Sequence, residues 1–95
     1  MPSDRYTLIW AEAFSRTARK FLNRHPDLVE PFTDALKLLE TDPYLPKLCL
    51  HPLTGTLKGK HTIRITYAYR VVLILHLTEK EIFLLDVGSH DDVYR

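Results

Sequence analysis

Negative charge is missing from a long stretch in the middle of this chain. No Asp or Glu occurs between residues 43 and 78, although the whole chain balances 13 basic against 12 acidic residues and has a net charge of +1. A stretch without carboxylates does not repel an anionic ligand, so the pattern favours binding of phosphate groups such as those of RNA or DNA. A chance distribution of surface lysines explains it equally well. The basic residues and histidines within the stretch are Lys47, Lys58, Lys60, Arg64, Arg70, His51, His61 and His76.

Other absences narrow the class of protein. Cys49 is the only cysteine, which excludes an intrachain disulfide and a metal site built on paired cysteines. The histidines share no short ligand spacing, so we expect no metal and no small-molecule cofactor. The longest apolar run, residues 71–75, is too short to span a bilayer, and the polar first residues do not resemble a signal peptide. We therefore expect a cytoplasmic protein, not bound to a membrane, that folds as a single domain over residues 1–95.

Hydrophobic periodicity predicts an α+β fold with the element order β-α-α-β-β-β. Residues 5–10 are rich in β-branched and aromatic side chains, as is typical of a strand. Two segments with apolar residues at helical spacing follow, and Pro31 requires the second helix to start late, because proline is tolerated only in a first turn. We expect an antiparallel sheet with the helical hairpin packed on one face. The last three strands are predicted at residues 62–67, 69–75 and 82–87.

The predicted hairpin between the second and third strands brings two arginines together. A tight turn would pair Arg64 with Val72, and Arg70 would then share the same face of the sheet, opposite the helices. Two arginines held on adjacent strands form a site for an anion, because strands position side chains better than loops do. The alternative is a surface salt bridge between Arg64 and one of two aspartates, Asp86 or Asp91.

The end of the chain adds a proton-transfer group and an aromatic ring. Gly88 permits a sharp turn that would return His90 towards the sheet, where a histidine can give or take a proton near neutral pH. The ring of Tyr94 could stack on a nucleobase. Taken alone, a histidine or a tyrosine in such a position is more often a surface, capping or packing residue.

Several short motifs, taken with the predicted architecture, resemble a known family. The motifs are Leu57-Lys58-Gly59, Tyr69-Arg70-Val71-Val72 and the ending Val87-Gly88-Ser89-His90-Asp91-Asp92-Val93-Tyr94. They resemble the RelE/ParE superfamily of toxins from type II toxin-antitoxin systems, and His51-Pro52-Leu53-Thr54-Gly55 makes the YafQ branch the most similar. The resemblance implies a RelE-like fold and a ribosome-dependent endoribonuclease that cuts messenger RNA and stops translation. It also implies a cognate antitoxin that binds the toxin directly.

The resemblance implies roles for five residues of this sequence. Arg70 matches the strand arginine of the family, which contacts the scissile phosphate. Arg64 falls where RelE has a catalytic lysine and YafQ a histidine. His90 matches the catalytic histidine of YafQ, at a position that RelE fills with arginine, and His51 matches the YafQ histidine in the loop before the last strands. Tyr94 matches the C-terminal aromatic residue proposed to stack on or orient the substrate nucleotide.

Metal-independent RNA cleavage requires a base for the 2′-OH proton, an acid for the leaving 5′ oxygen and cations around the phosphorane. His90 and His51 are the candidate proton-transfer residues, and which is base and which is acid stays open. Arg70 and Arg64 are the candidates for stabilising the phosphate. Neighbouring backbone phosphates would be bound by Lys58, Lys60 and His61.

The hairpin departs from the YafQ pattern, which has an acidic residue beside an aromatic one where this chain has Ala68 beside Tyr69. Two alternatives to this function stay open, the second of them because of this departure. One is a ParE-like toxin that inhibits DNA gyrase, against which the combination of His90 and Tyr94 argues. The other is a catalytically inactive module that binds RNA or the ribosome.

Overall fold

A five-stranded sheet forms the centre of the computed structural model, which describes residues 5–93. Two helices pack on one face of the sheet, and a third, very short helix ends the described chain. The α+β architecture predicted from the sequence is confirmed, with one additional two-residue strand, β2. The elements are β1 Thr7–Trp10, α1 Glu12–Arg24, α2 Val29–Thr41, β2 His51–Pro52, β3 His61–Thr66, β4 Tyr69–His76, β5 Glu81–Ser89 and α3 His90–Val93.

The strands are ordered β1-β5-β4-β3-β2 across the sheet. The sheet is mixed, because β1 pairs with β5 in the parallel direction, with Thr7 opposite Glu81. The expectation of a purely antiparallel sheet was therefore incomplete: the meander β3-β4-β5 is antiparallel, and β1 is not part of it. Strand direction at an edge depends on where the intervening helices bring the chain back, which periodicity does not encode.

The helical hairpin forms as the sequence predicts. α1 ends before Pro26, which begins a 3₁₀ turn, and α2 starts late enough for Pro31 to lie in its first turn. None of the helices within residues 5–93 is long and apolar enough to cross a membrane. Both helices cover the main core, whose largest members include Phe14, Phe21, Phe32, Leu36, Leu39, Ile63, Val71, Leu73, Ile82 and Leu84.

The opposite face of the sheet carries a second, smaller apolar cluster. Val72 of β4 is buried there against Leu53, from the loop after β2, and Val93 of α3. Leu57 and Leu85 pack around the edge of this cluster. The face away from α1 and α2 is therefore only partly open, and its accessible part lies towards the β3–β4 turn.

The β3–β4 hairpin has a different register from the one that the sequence suggested. Arg64 lies opposite Arg70, not opposite Val72, and the ladder is irregular between Arg64 and Thr66. As in a β-bulge, β3 contains one residue more than β4 between these two pairs. The turn that connects the strands consists of residues 67 and 68, because Thr66 pairs with Tyr69. Because the difference amounts to two positions along β4, an even number, both arginines still start from the same face of the sheet.

Candidate active site

A cleft of about 540 Å³ lies where the β3–β4 turn meets the start of α3. The backbone N–H of His90 donates a hydrogen bond of 3.1 Å to the carbonyl oxygen of Ala68 at the turn, which joins the two segments. We call this space the hairpin cleft. It is lined by Tyr67, Ala68, Arg70, Ser89, His90 and Asp91.

Arg70 is held in place by the hairpin itself. Its Nη1 atom donates hydrogen bonds to the carbonyl oxygens of Thr66 at 2.9 Å, Tyr67 at 3.2 Å and Tyr69 at 3.3 Å. Within residues 5–93 no carboxylate forms a salt bridge with this guanidinium. Arg70 therefore presents a positioned and uncompensated positive charge to the hairpin cleft.

Arg64 lies directly across from Arg70 in the ladder. Its Nη1 atom is 3.7 Å from the Sγ atom of Cys49, and its Cζ atom is 5.7 Å from the centroid of the Tyr67 ring. The alternative of a salt bridge with one of the aspartates is not seen in the described part of the chain. Arg64 lines a different recess, between β3 and α2, together with Asp34 and Lys47. Its connection to the hairpin cleft is through the ring of Tyr67.

His90 is the first residue of α3 and opens onto the hairpin cleft. The imidazole side chain is 59% exposed, and its Nδ1 atom is 3.8 Å from Oδ1 of Asp91. This contact is an ion pair only when the imidazole is protonated. The expectation that the chain returns His90 to the sheet is met, with Arg70 on the same cleft.

Gly88 is not at a sharp turn, as the sequence suggested, but allows a close approach of α3 to the sheet. It is a buried residue of β5 opposite Arg70, and its backbone is not among those with positive φ. A Cβ atom at this position would lie 3.2 Å from the Cβ of Asp92 in α3. The glycine therefore allows α3 to approach the sheet closely, which helps to hold His90 beside the hairpin turn.

His51 lies on the same face of the sheet as the arginines but outside the hairpin cleft. It is exposed in β2 and pairs with Thr62, two positions before Arg64 on the neighbouring strand. Residues paired across strands and residues two apart share a face, so His51 and Arg64 begin on the same side. The structure therefore puts one candidate histidine in the cleft and the other further along β3.

The three predicted RNA-binding residues do not form one group. Lys58 and Lys60 flank Gly59, which has a φ of 96° in the turn before β3, and Lys58 is exposed. His61 lies opposite the core residue Leu73, on the helix-covered face. The Nδ1 atom of His61 is buried without a hydrogen-bond partner in residues 5–93. Because successive residues of a strand point to opposite faces, His61 is on the other side of the sheet from Arg64.

Two tyrosines near the end of the chain and at the β3–β4 turn complete the set of candidate residues. Tyr94 lies outside the described residues, so its predicted stacking stays a prediction. Tyr67 lines the hairpin cleft and is 82% exposed, although it belongs to none of the motifs that pointed to the site. Its signal was an aromatic residue at a tight turn, where the chain cannot bury a large ring. Within the described residues, no group of three or more His, Cys, Asp or Glu side chains is arranged to hold a metal ion.

Comparison with known proteins identifies the family. Residues 6–95 match the family model described as a bacterial toxin of type II toxin-antitoxin systems, YafQ. No curated sequence matches the chain significantly.

Solved structures of low sequence identity share the fold. The Escherichia coli DinJ-YafQ toxin-antitoxin complex matches with a TM-score of 0.75 and 20% identity, covering 96% of this chain and 99% of that one. YafQ from E. coli strain BL21(DE3) matches with a TM-score of 0.70 and 17% identity, covering 96% and 100%. The toxin-antitoxin complex RelBE2 from Mycobacterium tuberculosis matches at 0.69 and 22% identity, covering 90% and 92%. The resemblance to the RelE/ParE superfamily, and to its YafQ branch, is confirmed. The chain belongs to the YafQ family of bacterial toxins of type II toxin-antitoxin systems.

Proposed function

We propose that this toxin is a ribosome-dependent endoribonuclease that cuts messenger RNA and thereby inhibits translation. The observation that carries the proposal is the pair Arg64 and Arg70, directly opposite each other on adjacent strands beside an exposed histidine, His90. Like charges in directly opposite positions of a ladder destabilise it. A pair of this kind, without a carboxylate partner in residues 5–93, is suited to an anionic ligand.

The reaction that fits these groups is attack of the ribose 2′-OH on the adjacent phosphorus. A base takes the proton of the 2′-OH, the 2′ oxygen forms a bond to phosphorus, and the bond to the 5′ oxygen breaks as an acid protonates it. The products are a 2′,3′-cyclic phosphate and a 5′-OH, with no metal taking part. Negative charge grows on the phosphorane oxygens, where the guanidinium groups stabilise it.

The residues divide between charge stabilisation and proton transfer. Arg70 is pre-organised, since three backbone carbonyls accept hydrogen bonds from its Nη1 atom. Arg64 supplies the second cation from beside the cleft. His90 is within the cleft and is the first candidate for proton transfer, with His51 as the second. Tyr94 would stack on or orient the nucleotide, and Lys58 and Lys60, in the turn before β3, would bind neighbouring phosphates. The role predicted for His61 does not fit its position on the helix-covered face.

The proposed partners are the ribosome with its messenger RNA and a cognate antitoxin. Family membership supports the antitoxin, since the DinJ-YafQ and RelBE2 structures are toxin-antitoxin complexes. Ribosome-bound RNA as substrate implies a cytoplasmic site of action and requires no membrane. A small protein encoded beside this toxin and able to relieve its growth arrest would be the antitoxin.

The test is cleavage of a defined messenger RNA in a purified translation system. We expect cuts that depend on the presence of ribosomes and leave 2′,3′-cyclic phosphate and 5′-OH ends. Ribosome binding without cuts would instead indicate the inactive binding module. Arrest of DNA synthesis before translation in cells that express the toxin would indicate a gyrase inhibitor.

A further inference from the structure

Tyr67 is the most exposed large hydrophobic side chain in the described structure, at 82%. It lies at the β3–β4 turn and belongs to neither apolar cluster. An aromatic ring this open to solvent contributes little to stability through burial, because the hydrophobic contribution scales with the apolar area removed from water. Packing in the core therefore does not explain why a large aromatic residue occupies this position.

The neighbouring aromatic residue, Tyr69, is already engaged in the fold. Its ring packs edge-on against Phe21 with centroids 5.2 Å apart, and it lies 5.0 Å from the ring of His25. These contacts are on the helix-covered face, away from Arg70 and His90. The two tyrosines of the hairpin thus divide between the core and the hairpin cleft.

The surroundings of Tyr67 are those of a site that binds nucleic acid. Its ring lines the hairpin cleft with Arg70 and His90, and the Arg64 guanidinium lies over the ring, with 5.7 Å from Cζ to the centroid. Single-stranded RNA is bound by cations along its backbone and by aromatic rings on which its unpaired bases stack. The hairpin turn brings both kinds of group within one cleft.

We propose that Tyr67 is the residue on which a nucleobase of the bound RNA stacks, next to the phosphate held by Arg64 and Arg70. This inference rests on the proposed function and adds to it a positioning residue at the turn. The cation over one side of the ring limits the movement of the side chain, and the remaining surface is open to a base. Stacking does not need the phenolic hydroxyl, so a phenylalanine serves equally well.

The test compares binding of two uncleavable oligonucleotides of equal length and charge. One is a 2′-O-methyl oligoribonucleotide, which lacks the attacking hydroxyl, and the other is an abasic strand with the same number of phosphates. We expect Tyr67→Ala to bind the base-bearing strand about 5- to 150-fold more weakly than the wild type, the range found when stacking aromatics are removed. Binding of the abasic strand should not change, and Tyr67→Phe should recover most of the lost affinity.

Tyr44→Ala is the matched control, because Tyr44 is also exposed, at 56%, and does not line the hairpin cleft. It should bind both strands as the wild type does. An equal loss for both strands in Tyr67→Ala, or no loss for either, would overturn the inference, because a base-stacking residue must distinguish them.

Cleavage of messenger RNA on ribosomes separates this inference from the proposed function. If the wild type cuts and Tyr67→Ala cuts with the same kcat/KM and at the same positions, the inference is wrong while the function stands. If the wild type cuts nothing but Tyr67→Ala loses affinity only for the base-bearing strand, the function is wrong and the RNA-stacking role stands.

Discussion

At the scale of single residues, the site is defined by charge that the fold does not neutralise. Arg64 and Arg70 occupy directly opposite positions on the adjacent strands β3 and β4, and neither forms a salt bridge within residues 5–93. A cross-strand pair selected for stability would combine one positive and one negative side chain, because opposite charges across a ladder stabilise the sheet and like charges destabilise it. The arrangement therefore favours ligand binding over stability.

The two arginines should determine how strongly RNA binding depends on salt. Each phosphate contact to a single strand contributes about 0.7 to the slope of log K against log salt concentration. We expect Arg64→Ala and Arg70→Ala each to lower that slope by about this amount when binding of the 2′-O-methyl strand is titrated with salt. Arg16→Ala is the control, because Arg16 is paired with Glu12 on α1, and an equal change in that variant would show that the effect is not specific to the site.

His90 is the residue whose loss should affect the chemical step. General acid–base catalysis contributes roughly 10²- to 10⁴-fold, so His90→Ala should lower the rate of mRNA cleavage by about that factor. The fold should be retained, because the imidazole is mostly exposed. Single-turnover cleavage and circular dichroism measure the two effects.

His76→Ala provides the matched control for that experiment. His76 is an exposed histidine at the far end of β4, in contact with the ring of Phe83. It should cleave as the wild type does. Wild-type rates in His90→Ala would remove this histidine from the mechanism.

At the scale of elements, the position of α3 decides where His90 lies. This helix is held by the hydrogen bond from His90 N–H to Ala68, by burial of Val93 and by close approach to Gly88. A helix of four residues has no stability of its own, so its place depends wholly on these contacts.

Gly88→Ala should therefore lower activity through the placement of α3. The new Cβ atom would lie 3.2 Å from the Cβ of Asp92, closer than ordinary contact, and the four-residue helix is the part that can move. We expect a loss of stability of about 1–3 kcal/mol in urea unfolding, as for overpacked sites, and a larger effect on cleavage than this loss explains.

A second substitution tests whether the effect comes from that contact. Asp92→Gly removes the Cβ atom that the new methyl group would meet, so the double variant Gly88→Ala/Asp92→Gly should recover part of the lost cleavage. Cleavage in the double variant no better than in Gly88→Ala would assign the loss to another cause, such as a changed β5 backbone.

At the scale of the whole molecule, stability depends on the core between the helices and the sheet. Phe14 is 0% exposed, stacks on Phe32 with centroids 6.5 Å apart and meets the edge of Trp10. The second cluster, on the other face, is much smaller. Most of the buried apolar area, which supplies the hydrophobic contribution to stability, therefore lies between the sheet and the helices α1 and α2.

Phe14→Ala should consequently destabilise the protein by about 3–5 kcal/mol, as large-to-small changes at buried phenylalanines do. This is a large part of the roughly 5–15 kcal/mol that keeps a domain folded, so toxicity should fall because less protein is folded. Urea unfolding gives the free energy, and Val29→Ala, at an exposed site of α2, should change it by less than about 0.5 kcal/mol. Equal effects of both substitutions would contradict this account of the core.

The fold was largely predictable because its elements are locally encoded. The helical spacing around Phe14 and the proline at position 31 set the two helices, and the apolar run of β4 required a central strand. The short strand β2 was missed, because two residues that include a proline carry no strand pattern. The parallel pairing of β1 was missed because it depends on where α1 and α2 carry the chain.

The sequence by itself determined two helices and four of the five strands, together with the stretch without carboxylates. It also determined the shared face of Arg64 and Arg70, since residues two apart on a strand share a side. Only the tertiary structure decided that the two arginines are directly opposite and that Tyr67 remains open beside the cleft. It also decided the contact of His90 with the hairpin turn. These features depend on a bulge, a tight turn and the docking of a short helix, which are fixed by packing between segments distant in sequence and not by local pattern.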